Sequence, residues 1–335
     1  MRALVTGSAG FIGFHLARRL LEAGDEVVGI DGFTPYYDLS LKEARQARLE
    51  QDGGFTGHRF LLEDFDALQQ VYGEGFDVVY HFAAQAGVHY SLENPRAYID
   101  ANIVGTYNLL EVMRPRPPRH ALLASTSSVY GANPAVPFFE TDRADHPLTL
   151  YAATKKATEE MGHAYSYLFK IPITMLRFFT VYGPWGRPDM APIKFAAAIF
   201  ADRPIDLYNF GKMRRDFTFI DDLVEAVARL TPIIPPMAAD RQRPLPGDSL
   251  ARQAPWRVVN IGAGKPVELE DFVAAIEASV GRKARRNPMP MQIGDVPVTF
   301  ANTDLLFHLT GYRPSTSVRE GVPAFIGWYR DYFRV

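Results

Sequence analysis

The feature that most constrains this chain is a glycine-rich run near its start, Gly7-Ser-Ala-Gly-Phe-Ile-Gly13. Residues 3–6 are predicted to form an apolar strand, and a helix follows whose one face carries Ile12, Leu16, Leu20 and Ala23. Gly7 permits a tight turn, Gly10 lets the backbone approach a ligand, and Gly13 lets the helix pack on the strand. Free N–H groups and the positive helix end favour an anion, so the run predicts a pyrophosphate cradle.

A second strand indicates that the ligand is a dinucleotide and that the run is more than a flexible turn. It is predicted over residues 26–30 and ends in Asp31. An acid near that distance typically holds the ribose diol of NAD. Because the charge of Asp31 would repel a 2′-phosphate, the sequence favours NAD over NADP.

Composition narrows the class of protein. The chain has 335 residues, a formal net charge of −2, eight histidines and no cysteine. That charge favours neither nucleic acid nor a membrane surface as partner. The lack of cysteine excludes disulfides and thiolate chemistry, and the histidines lack ligand spacing, so no metal site is expected. A strand starting at residue 2 leaves no room for a signal peptide and no apolar run could span a bilayer, which predicts a cytoplasmic protein.

Strand and helix patterns alternate through the first half of the chain. Strands are predicted at 59–62, 77–82 and 120–125, and helices at 41–50 and 95–113. Repeated βα units with short loops predict the α/β class and a right-handed, doubly wound parallel sheet of the Rossmann type. Asp64 is expected at a strand end beside the adenine. The aromatic loop 32–38 is predicted either to touch a ligand or to form a surface hairpin.

The pattern loosens after residue 177. A dinucleotide-binding domain is therefore predicted over 1–177, and a smaller, mainly substrate-binding α/β region over 178–335, with some chain crossing back to the first domain. Helices are predicted at 269–280 and 317–332, and residues 237–254 are expected to form a mobile loop.

Two motifs carry the expected chemistry. Ser125-Thr-Ser-Ser128 follows a strand at the edge where parallel sheets bind ligands, and Tyr151 and Lys155 share one face of a helix. A neighbouring ammonium and the positive nicotinamide of NAD⁺ favour the phenolate of Tyr151, whose reference pKa is about 10. Thr126 is placed to bind the same substrate hydroxyl. Tyr-x-x-x-Lys alone is often an ordinary helix pair; with the cradle, Asp31 and the hydroxyl cluster it predicts a redox site.

These motifs resemble those of the extended short-chain dehydrogenase/reductases along nearly the whole chain, and within them the chain resembles the UDP-glucuronate 4-epimerases. The segments that carry the resemblance are Gly7 to Gly13, Asp31, Ala84-Gln-Ala-Gly-Val88, Ser125-Thr-Ser-Ser-Val-Tyr-Gly131, Tyr151-Ala-Ala-Thr-Lys155, Arg177-Phe-Phe-Thr-Val-Tyr-Gly-Pro-Trp-Gly-Arg-Pro-Asp-Met190 and Asn209-Phe-Gly-Lys-Met-Arg-Arg-Asp-Phe-Thr-Phe-Ile-Asp-Asp222.

The resemblance implies reversible C4 epimerisation of UDP-glucuronate to UDP-galacturonate through an NAD-bound 4-keto sugar. It implies Tyr151 as catalytic base, with Lys155, Thr126, Ser127 and Ser128 beside it. It implies NAD contacts at Gly7, Gly10, Phe11, Ile12, Gly13, Asp31, Asp64, Phe65, Ala83, Gln85, Asn102, Ser125, Tyr151, Lys155 and Phe178. It implies contacts with the UDP-uronic acid at Val88, Thr126, Ser128, Tyr151, Thr180, Arg187, Lys194, Tyr208, Arg215, Gln292 and Asp295. Relatives tend to form homodimers, here through the predicted helices at 95–113 and 150–168.

Several alternatives stay open at this point. Related decarboxylases and 4,6-dehydratases carry an added carboxylate at or beside position 128, where this chain has Ser127 and Ser128, so return of the hydride is favoured. A UDP-xylose-forming decarboxylase, a neutral UDP-hexose 4-epimerase and a non-catalytic NAD-binding protein remain the rivals. Arg187 and Arg215 suit phosphate or carboxylate but also surface ion pairs. His89, where relatives usually carry arginine, is either a pH-dependent charge near the sugar or a loop-edge residue.

Overall fold

The structure is a computed structural model that describes residues 1–237, 240 and 245–335. Its strands are β1 Arg2–Thr6, β2 Glu26–Asp31, β3 Phe55–Arg59, β4 Val78–His81, β5 His120–Thr126, β6 Ile173–Phe178, β7 Thr180–Tyr182, β8 Pro204–Leu207, β9 Arg214–Phe219, β10 Trp256–Ile261, β11 Pro266–Glu268, β12 Arg285–Pro288 and β13 Val298–Thr299.

Its α-helices are α1 Phe11–Leu21, α2 Ser40–Leu49, α3 Phe65–Tyr72, α4 Tyr90–Glu93, α5 Pro95–Tyr98, α6 Gly105–Met113, α7 Leu150–Phe169, α8 Ala191–Phe200, α9 Ile220–Leu230, α10 Leu269–Val280, α11 Asp304–Thr310 and α12 Val318–Phe333. A π-helical turn, Ile99–Val104, joins α5 to α6, and 3-10 turns cover Ser127–Tyr130 and Tyr208–Gly211.

Seven parallel strands form the central sheet, in the order β10-β6-β5-β4-β1-β2-β3. From β1 the chain runs outward through β2 and β3, returns to β4 on the other side of β1, and continues to β5 and β6. This confirms the predicted α/β class and doubly wound sheet. The reversal beside β1 creates a crevice at the carboxyl edge, where such sheets bind ligands.

Helices cover both faces of the central sheet, which explains why its strands are buried on both sides. One core packs Phe14 and Leu16 of α1 with Leu223 of α9 and with side chains of the later helices. The other core packs Leu68 of α3 and Leu109 of α6 against the opposite face. The functional loops are therefore held on a scaffold that is packed from both sides.

The second half of the chain adds two small sheets and also completes the central one. Strand β9 pairs with β7, β11 and β13, and β8 pairs with β12. Strand β10 instead returns to the edge of the central sheet, where Trp256 to Ile261 pair in parallel with Ile173 to Phe178. The division into 1–177 and 178–335 stays a prediction, and β10 is the strand that crosses it.

Local differences from the predicted elements have simple causes. Strand β3 ends at Arg59, so the strand predicted at 59–62 was wrong in position; Thr56, Gly57 and His58 gave it no apolar pattern. Helix α1 ends at Leu21, and Ala23 is exposed beyond it rather than on the buried face. Asp64 was expected at a strand end but caps α3, where its carboxylate accepts from the Ala67 N–H at 3.1 Å.

Part of the loop predicted at 237–254 lies outside the described residues, namely 238–239 and 241–244. Residues 245–254 contain no helix or strand. Within the ranges that the structure describes, no helix is both long and apolar enough to cross a membrane. In those same ranges no three acidic or histidine side chains converge as a metal site.

Candidate active site

The glycine run forms a tight turn at the sheet crevice and opens α1. Gly7 has a positive φ of 74°, and a Cβ there would lie 2.7 Å from the Ala83 nitrogen. A Cβ at Gly13 would overlap the Gly7 carbonyl oxygen. Gly10 caps α1 without a side-chain hydrogen bond, so the N–H groups of Phe11, Ile12 and Gly13 have no acceptor within the helix. This cradle fits a diphosphate, which needs close backbone approach and free donors.

Asp31 lies at the carboxyl end of β2, next to the cradle, as the sequence predicted. Its carboxylate is buried and accepts from the Phe33 N–H at 2.9 Å and from the Lys42 ammonium at 2.7 Å. The position fits a ribose diol. Lys42 partly compensates the negative charge, so the carboxylate opposes a 2′-phosphate less strongly than an unpaired acid would.

The loop after β4 runs past the cradle and is held from behind by Asn102. The Asn102 amide oxygen accepts from the Gln85 N–H at 2.8 Å, and its nitrogen donates to the Gln85 carbonyl at 3.1 Å and to Thr154 at 3.0 Å. Ala83, which begins this loop, donates its N–H to Thr6 at 3.2 Å. Asn102 thus fixes the loop backbone through a fully satisfied buried amide.

Tyr151 and Lys155 lie one turn apart near the start of α7, beside the end of β5. Burial raises the pKa of the Tyr151 phenol, while the nearby Thr126 hydroxyl and the charge of Arg187 act to lower that pKa. Lys155 is 3% exposed, and its burial lowers the pKa of the ammonium to about 8 against the charge of Glu159. The Thr126 hydroxyl donates to the Ser128 hydroxyl at 3.2 Å, so two of the predicted relay hydroxyls are hydrogen-bonded to each other near the predicted base.

Ser125, the first of the four hydroxyls, points to a buried ion pair below the site. Its hydroxyl donates to Glu159 at 2.6 Å, and the same carboxylate accepts from Arg177 at 2.9 and 2.8 Å. The Arg177 guanidinium also lies 4.7 Å from the centroid of the Tyr130 ring. This cluster ties α7 to β5 and β6 and thereby fixes the position of Tyr151 relative to Thr126.

A cavity of about 190 Å³ opens beside the hydroxyl cluster. It brings together six of the residues predicted for catalysis or substrate contact, from five separate parts of the chain: Val88, Ser127, Ser128, Thr180, Arg215 and Asp295. Burial lowers the pKa of Arg215, and the charge of Asp295 opposes that shift. Hydroxyls at one end and a guanidinium at the other suit a sugar joined to phosphate.

Arg187 lies in the loop before α8 and pairs with Asp189, its Nε donating to the carboxylate at 3.0 Å. Tyr36 donates its hydroxyl to the same carboxylate, also at 3.0 Å. The aromatic loop 32–38 therefore reaches the Arg187 side and is not a free surface hairpin. Burial acts to lower the pKa of Arg187, but the charge and hydrogen bonds of Asp189 outweigh burial, so the pKa is raised. The Arg187 guanidinium therefore remains charged near the phenol of Tyr151.

The other predicted site residues are spread around this centre. Phe178 ends β6 with its ring buried against Phe82, their centroids 5.7 Å apart. Phe65 begins α3 and is exposed, as is Lys194 on α8. Tyr208 is in a 3-10 turn, and Gln292 is in the loop that also carries Asp295. Their roles stay predictions. The His89 Nε2 lies 3.7 Å from the Asp295 carboxylate, at the rim of the cavity.

Sequence reasoning missed three residues that the structure brings to the site. Asp189 and Tyr36 hold Arg187, and Tyr98 lies with its ring centroid 6.1 Å from that of Tyr151. Tyr98 donates to the Ala86 carbonyl at 3.0 Å and so supports the loop after β4. The acid two residues after Arg187 was the available signal for Asp189. The tyrosines gave none, because their partners are distant in sequence.

The fold and site together define a dinucleotide-binding enzyme of the Rossmann type that carries a Tyr–Lys pair. The profile of the NAD dependent epimerase/dehydratase family matches residues 3–232. The chain belongs to this family, which confirms the membership inferred from its motifs.

Two relatives and one solved structure illustrate the similarity. The "Probable UDP-glucuronate 4-epimerase" of Rhizobium meliloti is 57% identical over 336 residues, covering 100% of this chain and 98% of the relative. The UDP-glucuronate 4-epimerase 2 of Arabidopsis thaliana is 44% identical, covering 99% of this chain and 76% of the relative. The UDP-glucuronic acid 4-epimerase of Bacillus cereus, solved with UDP-glucuronic acid and NAD, superposes with a TM-score of 0.86 at 32% identity, covering 99% and 100% of the two chains.

Proposed function

We propose that this protein is an NAD-dependent UDP-glucuronate 4-epimerase, which interconverts UDP-glucuronate and UDP-galacturonate. The observation that carries the proposal is the arrangement around the 190 Å³ cavity. Its lining includes Ala152, which directly follows Tyr151 on α7, and Ser128, which accepts a hydrogen bond from Thr126 at 3.2 Å. Ser127 and Ser128, also in the lining, occupy the positions where related decarboxylases and dehydratases add an acid. The similarity to named UDP-glucuronate 4-epimerases supports the same activity.

The residues of the cradle, Asp31 and Lys155 would hold NAD. When bound, NAD supplies the acceptor and donor of the C4 hydride and a positive ring beside Tyr151. Tyr151 takes the proton of the 4-hydroxyl as the C–H bond breaks, and Thr126 holds that oxygen in line. The uridine diphosphate stays anchored, with Arg215 as one anchor, while the 4-keto sugar turns over. Tyr151 then returns its proton as C4 is reduced from the opposite face, which inverts the centre.

The 4-keto sugar is a β-keto acid, so the site must also suppress loss of CO₂. Carbon dioxide leaves when the bond to the carboxylate aligns with the π system of the ketone. We propose that the hydroxyls of Ser128 and Thr180, which both line the cavity, hold the carboxylate out of that alignment. Hydrogen bonds from these hydroxyls to a carboxylate would be stronger than hydrogen bonds between neutral groups.

Product analysis after incubation with UDP-glucuronate tests the proposal. Proton NMR should show UDP-galacturonate formed to equilibrium, with no net change in cofactor and with isotope at C4 retained. Tyr151→Phe should lose at least about a thousandfold in kcat, because the proton acceptor is gone, while its NAD content stays at the wild-type level. Tyr167→Phe, an exposed tyrosine on the same helix, is the matched control.

The rivals predict different products. UDP-xylose and CO₂ from the wild-type protein would identify a decarboxylase, and turnover of UDP-glucose in preference to UDP-glucuronate would identify a neutral-sugar epimerase. Activity of Tyr151→Phe equal to that of wild type would remove Tyr151 from the role of base.

We also propose that the enzyme works as a homodimer in the cytoplasm. The segment Ile99–Val104 with α6 packs beside α7, and the pair exposes the apolar side chains Val104, Tyr107, Tyr167 and Leu168. Exposed apolar side chains grouped on two neighbouring helices favour burial against a second copy. The lack of cysteine is compatible with a reducing compartment.

A further inference from the structure

Arg45 on α2 is a fully buried arginine, 0% exposed, that binds only neutral groups. Its Nη1 donates to the Ala9 carbonyl at 2.9 Å and to the Tyr37 hydroxyl at 3.0 Å. Its Nη2 donates to the carbonyls of Trp185 at 2.6 Å and Gly186 at 3.1 Å. Its Nε is buried without a hydrogen-bond partner, and no carboxylate of the described residues forms an ion pair with it.

Arg45 thus bridges two segments, one at the predicted cofactor site and one at the predicted sugar-nucleotide site. Ala9 is inside the glycine run, and its carbonyl is part of the peptide that leads into Gly10 and the start of α1. Holding that carbonyl orients the peptide and leaves the N–H groups of the first helical turn facing the cradle. Trp185 and Gly186 directly precede Arg187, so their carbonyls set the direction from which Arg187 leaves the backbone.

The loop before Arg187 needs such support because its backbone is strained. Trp185 has a positive φ of 60°, which is uncommon for a bulky residue. A second buried contact holds the same loop, since the His15 Nε2 lies 2.9 Å from the Pro184 carbonyl oxygen. Both anchors, His15 on α1 and Arg45 on α2, come from the cofactor side. The loop that presents Arg187 is therefore fixed by the cofactor half of the site.

The charge of Arg45 is the second clue. A buried guanidinium without an acid partner is costly, because its lost hydration is replaced only by carbonyl dipoles. Burial accordingly acts to lower the pKa of Arg45, yet an arginine stays charged in a protein. The charge of Asp31 offsets part of this effect without pairing with Arg45, and a diphosphate in the adjoining cradle would supply the further negative charge.

We propose that Arg45 is a positioning residue that joins the cofactor cradle to the loop presenting Arg187, and whose charge is balanced by the bound cofactor diphosphate. Loss of Arg45 weakens the binding of both NAD and the sugar nucleotide, although Arg45 contacts neither Tyr151 nor the reacting sugar. The arm of the proposal that concerns the sugar nucleotide rests on the proposed function, and the arm that concerns NAD does not.

Two variants of Arg45 separate the effect of its charge from the effect of its several N–H donors. Arg45→Met removes both, and Arg45→Lys keeps the charge but reaches fewer carbonyls. Arg257→Met is the control, because Arg257 is also buried but pairs with Asp248, at 2.9 Å, away from the cradle. For each protein, stripped of cofactor, we would measure the NAD dissociation constant, the rise in Tm on adding NAD, and kcat and KM for UDP-glucuronate.

Arg45→Met should bind NAD about ten- to a hundredfold more weakly, the range for a lost interaction with a charged group. Its rise in Tm with NAD should shrink correspondingly. Arg45→Lys should keep most of that NAD response but show a KM for UDP-glucuronate raised about tenfold. Arg257→Met should lower the Tm of the free and loaded protein equally and leave KM unchanged, as expected of a purely structural residue.

The proposal is overturned if Arg45→Met responds to NAD as wild type does, or if it shows only the uniform loss of Tm seen in Arg257→Met. Should Arg45→Met fail to fold, Arg45→Lys decides: a wild-type KM together with a wild-type NAD affinity in that variant contradicts the bridge. If the wild-type protein does not turn over UDP-glucuronate, the proposed function fails, whereas the NAD measurements still test Arg45.

Discussion

The pKa of the Tyr151 phenol is set by burial and by neighbouring side chains, which act in opposite directions. Burial raises its pKa, whereas the nearby Thr126 hydroxyl and the charge of Arg187 lower it. The sequence suggested Lys155 and the cofactor as the groups that lower this pKa. The structure adds Thr126 and an arginine more than thirty residues away in sequence. A base of this kind is prepared by the surrounding site rather than by one partner.

Thr126→Val should move the pH dependence of the reaction upward. Since the active form is the phenolate, kcat rises with pH through the pKa of Tyr151, and loss of the Thr126 hydroxyl, which lowers this pKa, shifts the rise to higher pH. A hydrogen bond to a charged group corresponds to about one to two pH units. The measurement is kcat between pH 6 and 9. Thr126→Ser, which keeps the hydroxyl, is the control, and an unmoved profile in Thr126→Val would exclude the relay role.

At the scale of elements, the central sheet was predictable because its strands are apolar runs followed by helical periodicity. Strands β1, β2, β4 and β5 and helices α1, α2 and α7 were expected nearly in place. The small sheets around β9 were not, because strands of two to six residues with partners far along the chain leave no local pattern.

The site divides in the same way. Tyr151 with Lys155, and the hydroxyls of Ser125 to Ser128, were predicted from spacing within single segments. Asp189 with Tyr36, and Arg45 with Trp185, were not found, because these contacts join residues separated by 153 and 140 positions. Only the folded chain shows that such side chains meet, since no spacing rule links residues across that distance.

Glutamate on the exposed face of α6 and α7 should separate the proposed dimer. Tyr107→Glu and Leu168→Glu each place a charge in the expected contact, and loss of an interface anchor of about 2 kcal/mol raises the dissociation constant roughly thirtyfold. Sedimentation velocity at micromolar protein measures the change. Phe307→Glu on α11, also exposed, should leave the dimer intact. A monomeric wild-type protein would contradict the proposal directly.

At the scale of the whole molecule, the three histidines that are buried among the described residues, His15, His81 and His120, couple stability to pH. Burial lowers the pKa of His15 and His81 to about 3 and that of His120 to about 4. All three imidazoles form hydrogen bonds inside the fold. His15 bonds with Pro184 through one ring nitrogen. Both ring nitrogens are bonded in the other two: His81 bonds with Thr6 and Thr106, and His120 with Thr231 and Thr174. Burial acts in the other direction on Glu140 and raises the pKa of that carboxyl to about 7.

The free energy of unfolding should therefore fall as the pH drops below about 6.5, where the unfolded chain protonates the three histidines and the folded one does not. Between about pH 4.5 and 7, Glu140 acts in the opposite direction, because its carboxyl is protonated in the folded chain and ionised in the unfolded one. Near pH 5.5 unfolding therefore takes up about two protons net, and the free energy of unfolding changes by about 2.7 kcal/mol per pH unit. Urea titrations at pH 7.5, 6.5 and 5.5 measure the slope.

His81→Asn should make that slope shallower by about one proton. His308→Asn, at an exposed position, should leave it unchanged. Equal stability of the wild-type protein from pH 7.5 to 5.5 would contradict the assignment of neutral buried imidazoles.

Strand β10 has a consequence for how the chain is made. It pairs with β6 at one border of the large sheet, yet it is translated only after β7, β8, β9 and α9. While the ribosome completes those residues, β6 presents open backbone donors and acceptors to whatever is near it, including other nascent chains. Cells that produce this protein would therefore benefit from a chaperone at that stage, and a ribosome stalled before codon 256 would release a polypeptide prone to aggregate.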